Sequence, residues 1–171
     1  MATLRDYCAQ LDQHLSSIAD PQERIATAAK SLAKVFRVRE DEVALFKLKD
    51  ETVLNFLWPL KLQKVGFIPL NSHDSLAART VRENQAFLHN DFSSARHTGV
   101  FEIVHLEKGK GKPQPIQKIL SAPLTAQQDA YGAVQISRKG ESDTADIPNF
   151  SDQDLEQLKV LCGVIEKHIH S

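Results

Sequence analysis

Apolar residues recur every three or four positions at both ends of the chain and every second position between them, so the pattern predicts helices flanking a sheet. Leu4, Tyr7/Cys8, Leu11, Leu15 and Ile18 fall on one face of a helix over residues 3–19. Asp20-Pro21-Gln22-Glu23 opens a second helix. Asp20 is placed to cap free backbone N–H groups, Pro21 suits the first helical position and Glu23 can reach back to the cap. Ile25, Ala28, Ala29, Leu32, Val35 and Phe36 line its inner side up to about Arg37. The period then changes. Residues 43–49 and 53–60 alternate as two strands around a turn at Asp50-Glu51. Ala44, Phe46 and Leu48 share one face of the first strand; Leu54, Phe56, Trp58 and Leu60 share one face of the second. Pro59 has no N–H to give a ladder, which places the second strand at a sheet edge. Residues 65–70 form a short third strand or continue the second after a bend.

Ser72 opens a further helix with Leu76, Thr80 and Val81 inward, ending near Asn84-Gln85, and residues 86–89 make a short strand. Residues 90–114 show no clear period. Residues 116–124 and 131–138 are two more strands joined by a polar loop, and a second polar loop covers 140–149. The last helix runs from Ser151 to about His168. Ser151 caps it, Asp154 sits three residues later, and Phe150 and Leu155 occupy the two positions of a hydrophobic staple. Leu155, Leu158, Cys162, Ile165 and Ile169 form a 3-4 seam resembling that of the first helix. Two such seams suit packing side by side or against a second subunit, and a homodimer through the terminal helices is the expectation.

Composition narrows the class. The 171 residues are 42% apolar and 25% charged, which fits one globular domain over 1–171 that folds without metal or disulfide. A net charge of −1 gives no broad basic surface, so no nucleic-acid partner is expected. No run approaches the ~18 apolar residues of a membrane span, and the N-terminus lacks the apolar core of a signal peptide. A cytoplasmic protein with no membrane partner is the expectation. Cys8 and Cys162 are the only cysteines and form no Cys-x-x-Cys pair.

Residues 75–91, from Ser75-Leu76-Ala77-Ala78-Arg79-Thr80 to Asn90-Asp91, resemble the helix, turn, short strand and Asn-Asp ending of the GAF domain family. Ile119 to Leu124 is similar to the family's strand ending in Pro-Leu, and Tyr131 to Ile136 to the strand that follows. Phe150 to Asp154 with Leu158 resemble its last helix, and the likeness spans about 22–169. The resemblance implies an α+β fold: a central antiparallel sheet of about six strands, the terminal helices on one face, the middle helix and loops on the other. It implies a regulatory module that binds an unidentified small molecule between sheet and middle helix and passes the signal to a signalling protein partner or through self-association. Such a site needs an apolar wall with a few fixed polar groups. Trp58, Phe67, Leu76, Arg79, Asp91, Phe92, Phe101, Ser121 and Gln135 are expected to line it. The alternative is a structural dimerisation module whose pocket is plugged by Trp58, Phe67 and Phe101.

Specific chemistries find little support. The family's cyclic-nucleotide binders carry Asn-Lys, Phe and Asp-Glu; the matching positions here are Arg138, Lys139, Phe150, Asp154 and Leu155, so the Asn and Glu are absent. Phe150 and Asp154 are explained as staple and cap, with Lys139 in reach of Asp154. Bilin attachment needs a cysteine in the middle loops, and the family's free methionine sulfoxide reductases use several around the pocket. This chain has none between residues 9 and 161, so no enzymatic activity is expected. His73, His89, His97 and His105, with Asp91 nearby, match no metal-ligand spacing. The Lys-Gly alternation from Lys108 to Lys112 is that of a solvated loop. The sequence names no ligand or cofactor.

Overall fold

Capping chemistry sets where the helices begin. In the computed structural model, which describes residues 3–64, 66–92, 114–140 and 147–170, α1 (Leu4–Ser17) starts from Thr3. The Thr3 hydroxyl accepts the Asp6 N–H, and the Asp6 carboxylate accepts the Thr3 N–H. Asp20 caps α2 (Pro21–Phe36) by accepting the Glu23 N–H. Ser151 and Asp154 form the same reciprocal box at α4 (Asp152–Ile169). The middle helix α3 (Leu76–Glu83) begins later than the pattern suggested. Ser75, not Ser72, accepts from its first turn, and Asn84 closes it in the left-handed conformation.

Six strands, β1 (Val43–Lys49), β2 (Val53–Trp58), β3 (Phe67–Pro69), β4 (Phe87–His89), β5 (Ile116–Ala126) and β6 (Asp129–Lys139), form one sheet in the order β3-β2-β1-β6-β5-β4. Every neighbouring pair is antiparallel. β5 and β6 are longer than their apolar cores implied. Gln127 and Gln128 both adopt positive φ, so a two-residue turn lets Thr125, Ala126 and Asp129 join the ladder.

α1, α2 and α4 cover one face. Leu15, Leu32, Phe36, Leu158, Leu161 and Ile165 meet Val43, Leu45, Leu120, Leu124, Val134 and Ile136 of the sheet. α3 lies on the other face, over Ala44, Phe46, Leu54, Phe56, Ile119 and Ala133. The two seams of the terminal helices therefore satisfy each other and the sheet. Leu11, Leu15, Ile18, Leu158, Ile165 and Ile169 are all buried within the chain, so they do not supply the intersubunit surface expected of them. Tyr131 adds a hydroxyl bond to the Glu166 carbonyl, and the Arg24 guanidinium ties the α1–α2 corner at Ile18 to His168 at the end of α4. Among the described residues, no helix is long and apolar enough to cross a membrane.

One irregularity changes the reading of β2. Phe46 pairs with Phe56, but Leu45 pairs with Trp58, so Leu57 is an extra residue on β2. The insertion turns Trp58 onto the helix-covered face, where its indole N–H donates to the Glu40 carbonyl at 2.9 Å. Trp58 thus leaves the face shared by Leu54 and Phe56, and Leu60 lies in a short 3-10 turn, exposed. Pro59 sits beyond the strand after a cis peptide, so it takes no donor from the ladder, and the edge belongs to β3 instead.

β6 approaches β1 most closely at Gly132, where an added Cβ would collide with the Phe46 carbonyl oxygen. Gly132→Ala is expected to destabilise the domain by about 2–3 kcal/mol in urea denaturation, because two central strands must separate to admit the methyl.

α1 is fastened by Asp12, whose carboxylate meets His168 Nε2 at 2.6 Å and Lys167 Nζ at 3.9 Å. The His168 hydrogen bond holds the Asp12 carboxyl below the usual carboxylate range. A carboxyl whose pKa falls on folding favours the folded state above its unfolded value, and that contribution is lost as pH falls through the lowered folded value. Acidification from about pH 5 to pH 3 should therefore loosen α1. Amide exchange of α1 measures this, and the acid-side change should shrink in Asp12→Ala.

Candidate functional site

The α3-facing side of the sheet carries three polar side chains in an apolar setting. Thr80 projects from α3, Ser121 from β5 and Gln135 from β6, and Thr80 and Ser121 are fully buried. Their hydrogen bonds run in one direction. The Thr80 hydroxyl donates to the Leu76 carbonyl at 2.8 Å. Its oxygen lies 2.7 Å from Ser121 Oγ, so the Ser121 hydroxyl must be the donor there. Ser121 Oγ in turn accepts from Gln135 Nε2 at 3.2 Å. This chain fixes which way the Gln135 amide faces. Its nitrogen is committed to Ser121, and among the described residues its oxygen has no hydrogen-bond donor, although the residue is only 5% exposed.

Around this chain the expected lining set divides. Leu76 and Phe92 are buried in the α3-side core, and Phe92 lies 6.2 Å from the His89 ring. Arg79 is exposed at the rim, paired with Glu83 and stacked 4.4 Å over the Phe87 ring. Asp91 is exposed next to Phe92. Ser121 and Gln135 meet directly, whereas Trp58 belongs to the opposite core because of the bulge. Phe67 is 61% exposed on edge strand β3 and plugs nothing. The aromatic pair that fills this side under β1 and β2 is Phe46 with Phe56, centroids 4.5 Å apart. Phe101, His97, His105 and the Lys108–Lys112 run lie outside the described residues. Sequence reasoning placed Thr80 inward without seeing that it terminates the polar chain.

The positions matching the cyclic-nucleotide pattern have other work. The buried Phe150 ring lies 4.0 Å under the Arg138 guanidinium, which also donates to the Pro148 and Asn149 carbonyls. Burial lowers the Arg138 pKa below its ordinary value. Asp154 belongs to the α4 cap. Lys139 does not turn to Asp154; its Nζ donates to the Asp41 carbonyl at 3.0 Å, and its backbone N–H donates to the Glu42 carboxylate. Asn90, which the sequence offered only as part of a motif, clasps Phe150. Its amide oxygen accepts the Phe150 N–H at 2.8 Å, and its amide nitrogen donates to the Phe150 carbonyl at 3.0 Å. Lys118 Nζ braces the clasp from the Asn90 carbonyl and Asn149 Oδ1.

A cleft of about 320 Å³ opens on the helix-covered side, between α4, β5 and the turn after α3. Asn84, Ala86, Pro123, Lys159, Cys162 and Gly163 are among its lining. It was not foreseen, since three distant segments build it; a glycine inside an otherwise apolar helical run was the one available signal. Cys162 is buried there, and burial raises its thiol pKa well above normal; burial also raises that of Cys8. Among the described residues, no group of three or more His, Cys, Asp or Glu side chains is placed to hold a metal ion.

The family model of the GAF domain matches residues 20–169. The chain is a GAF domain. The family generally serves ligand sensing and signalling. Solved structures repeat the fold at low identity. The GAF domain of the Acinetobacter phosphoenolpyruvate-protein phosphotransferase superposes with a TM-score of 0.74 at 12% identity, covering 99% of this chain and 95% of that one. A methyl-accepting chemotaxis protein segment, residues 122 to 287, reaches 0.69 at 14%, covering 94% and 95%. Free methionine-R-sulfoxide reductase from Neisseria meningitidis, in complex with its substrate, also reaches 0.69 at 14%, covering 99% and 93%. A comparison with the curated proteins returned no match.

Within this GAF domain, the polar chain can be tested directly. Thr80→Val keeps the shape but leaves the buried Ser121 hydroxyl without its acceptor. The expected loss is about 1–3 kcal/mol in denaturant unfolding. Adding Ser121→Ala should not recover it, because that change removes the acceptor of the Gln135 amide nitrogen as well.

Proposed function

We propose that this GAF domain is a regulatory sensor that binds a small molecule non-covalently on the α3 side of the sheet, and that it is not an enzyme. The observation that carries the reading is the unpaired Gln135 amide oxygen, held in a fixed orientation by Ser121 and Thr80 on the sheet face whose apolar core includes Leu76 and Phe92. A preset acceptor on an apolar wall is what fixes a small ligand's orientation, and it selects ligands that offer an N–H or O–H donor. The non-enzymatic part rests on the cysteines. Both pack with the helix-covered core, and burial keeps their thiols protonated, so neither offers a thiolate to the α3 side. Neighbours named as chemotaxis and phosphotransferase proteins support a signalling context with a protein partner.

A second reading, a structural module with a filled pocket, is favoured by the Phe46–Phe56 pair, which already occupies part of the same face. A thermal-shift panel of amino acids, nucleobases, nucleosides and cyclic nucleotides separates the two. Under the sensor reading, one compound at about 100 times its Kd stabilises the domain by ~2.7 kcal/mol, and Gln135→Leu abolishes that shift while its own melting transition stays cooperative. If no compound in the panel moves the transition, the filled-module reading stands.

A further inference from the structure

The cleft of about 320 Å³ beside α4 lies on the opposite side of the sheet from α3, and the short reach of β4 opens it. β4 begins at Phe87, opposite Ser121, so Pro123 and Thr125 lie on β5 beyond the last pair of that ladder. Pro123 has no N–H to leave bare. The Thr125 N–H is met by α4: Glu166 Oε2 accepts it at 2.6 Å and accepts the Thr125 hydroxyl at 3.0 Å. Those two bonds fix the carboxylate, and among the described residues its other oxygen, Oε1, accepts nothing. Asn84 gives its amide N–H to the Gln128 carbonyl at 3.0 Å, and its amide oxygen has no donor among the described residues. Lys159, at the other end of the cleft, pairs with the exposed Glu156 at 3.3 Å, a surface contact of the kind that exchanges readily. Between Lys159 and Glu166 the same helix face carries Gly163. Glycine is unfavourable inside a helix, and a Cβ built there would meet nothing within 4 Å, so no neighbour in the chain requires it. What the missing side chain provides is room in the cleft.

Seven residues of helix set Lys159 and Glu166 about 10 Å apart along the axis of α4, a span that the flexible lysine stem shortens to that of a short aliphatic chain. Two opposite charges lining one cleft without meeting each other match a molecule that carries the same two charges in reverse. We propose that this cleft is a second ligand site, independent of the α3 side, for a small zwitterion whose ammonium and carboxylate are held apart by an aliphatic spacer. The ammonium donates to Glu166 Oε1 and to the Asn84 amide oxygen. The spacer lies against Ala86, Pro123 and the bare backbone of Gly163, and the carboxylate meets Lys159. A few polar groups around an apolar wall are the make-up of small-molecule sites. The same charges reject other classes: a diamine sets an ammonium against Lys159, a dicarboxylate sets an anion against Glu166, and an α-amino acid is too short to reach both ends. Burial, and the Glu166 charge after it, keep the Cys162 thiol protonated, so the wall adds no further charge.

Titration of the full chain with ε-aminocaproate, followed through amide chemical shifts, tests this. Saturable shifts are expected at Ala86, Thr125 and Gly163, with a Kd on the order of 1 mM, as suits a small ligand held by two exposed ion pairs. Thr80, Ser121 and Gln135 should not shift, which separates this site from the α3-side sensor. Hexylamine and hexanoate, each lacking one of the two charges, should bind about tenfold more weakly. Gly163→Val fills the cleft without a clash in the chain, and it should abolish binding with the melting temperature unchanged or raised. Lys159→Gln should weaken ε-aminocaproate about tenfold and leave hexylamine unaffected, a pattern that lost structure would not give. The proposal is overturned by the absence of saturable shifts up to ~20 mM, by shifts confined to the α3 side, by equal binding of all three compounds, or by a Gly163→Val variant that binds like the parent.

Discussion

The antiparallel ladder between β5 and β6 is the element on which the rest of the domain depends. Each strand is eleven residues long, and their ladder lies inside the sheet with β1 on one flank and the edge strand β4 on the other. Alternation then assigns the work. Leu120, Ala122, Leu124, Val134 and Ile136 face α1, α2 and α4, while Ile119 and Ala133 face the α3 side. Because successive side chains of a strand point to opposite faces, this one hairpin fixes the register of both cores at once. That the turn uses two glutamines at positive φ, and no glycine, shows how strongly the ladder overrides local preference.

The two faces differ in character. The helix-covered face is almost wholly apolar, and its polar contacts sit at the perimeter, where Arg24, Tyr131 and Glu166 join elements end to end. The α3 side accepts buried polar groups and arranges them in sequence, from amide to hydroxyl to hydroxyl to carbonyl. A chain of this kind gains from mutual polarisation. It also leaves one defined acceptor at its head, which an apolar packing of the same volume would not provide.

How much of this the sequence disclosed follows from the kind of signal each feature leaves. Helix starts with a cap, as at Asp20 and Ser151, are local chemistry and were legible to within a residue or two. The start of α3 was not, because Ser72 offered an earlier cap of the same type and only the fold selects Ser75. The faces of β1 followed from alternation, but Trp58 was misplaced, since an inserted residue such as Leu57 shifts the phase without altering composition. Ser121 and Gln135 were found as polar residues in apolar strands, and the structure brings them into contact. Their link to Thr80 joins residues 41 positions apart and was beyond local reasoning, as was a cleft assembled from three segments.

The Asn90 clasp has a consequence for which substitutions the chain tolerates. One side chain holds both backbone polar groups of a residue 60 positions away, so the end of β4 and the entry to α4 are pinned together. Aspartate, nearly the same shape, lacks the N–H that meets the Phe150 carbonyl, and glutamine would overshoot. β4 is itself paired to β5 through Phe87, Leu88 and His89, so a single-residue change at Asn90 reaches the sheet edge and the start of α4 together.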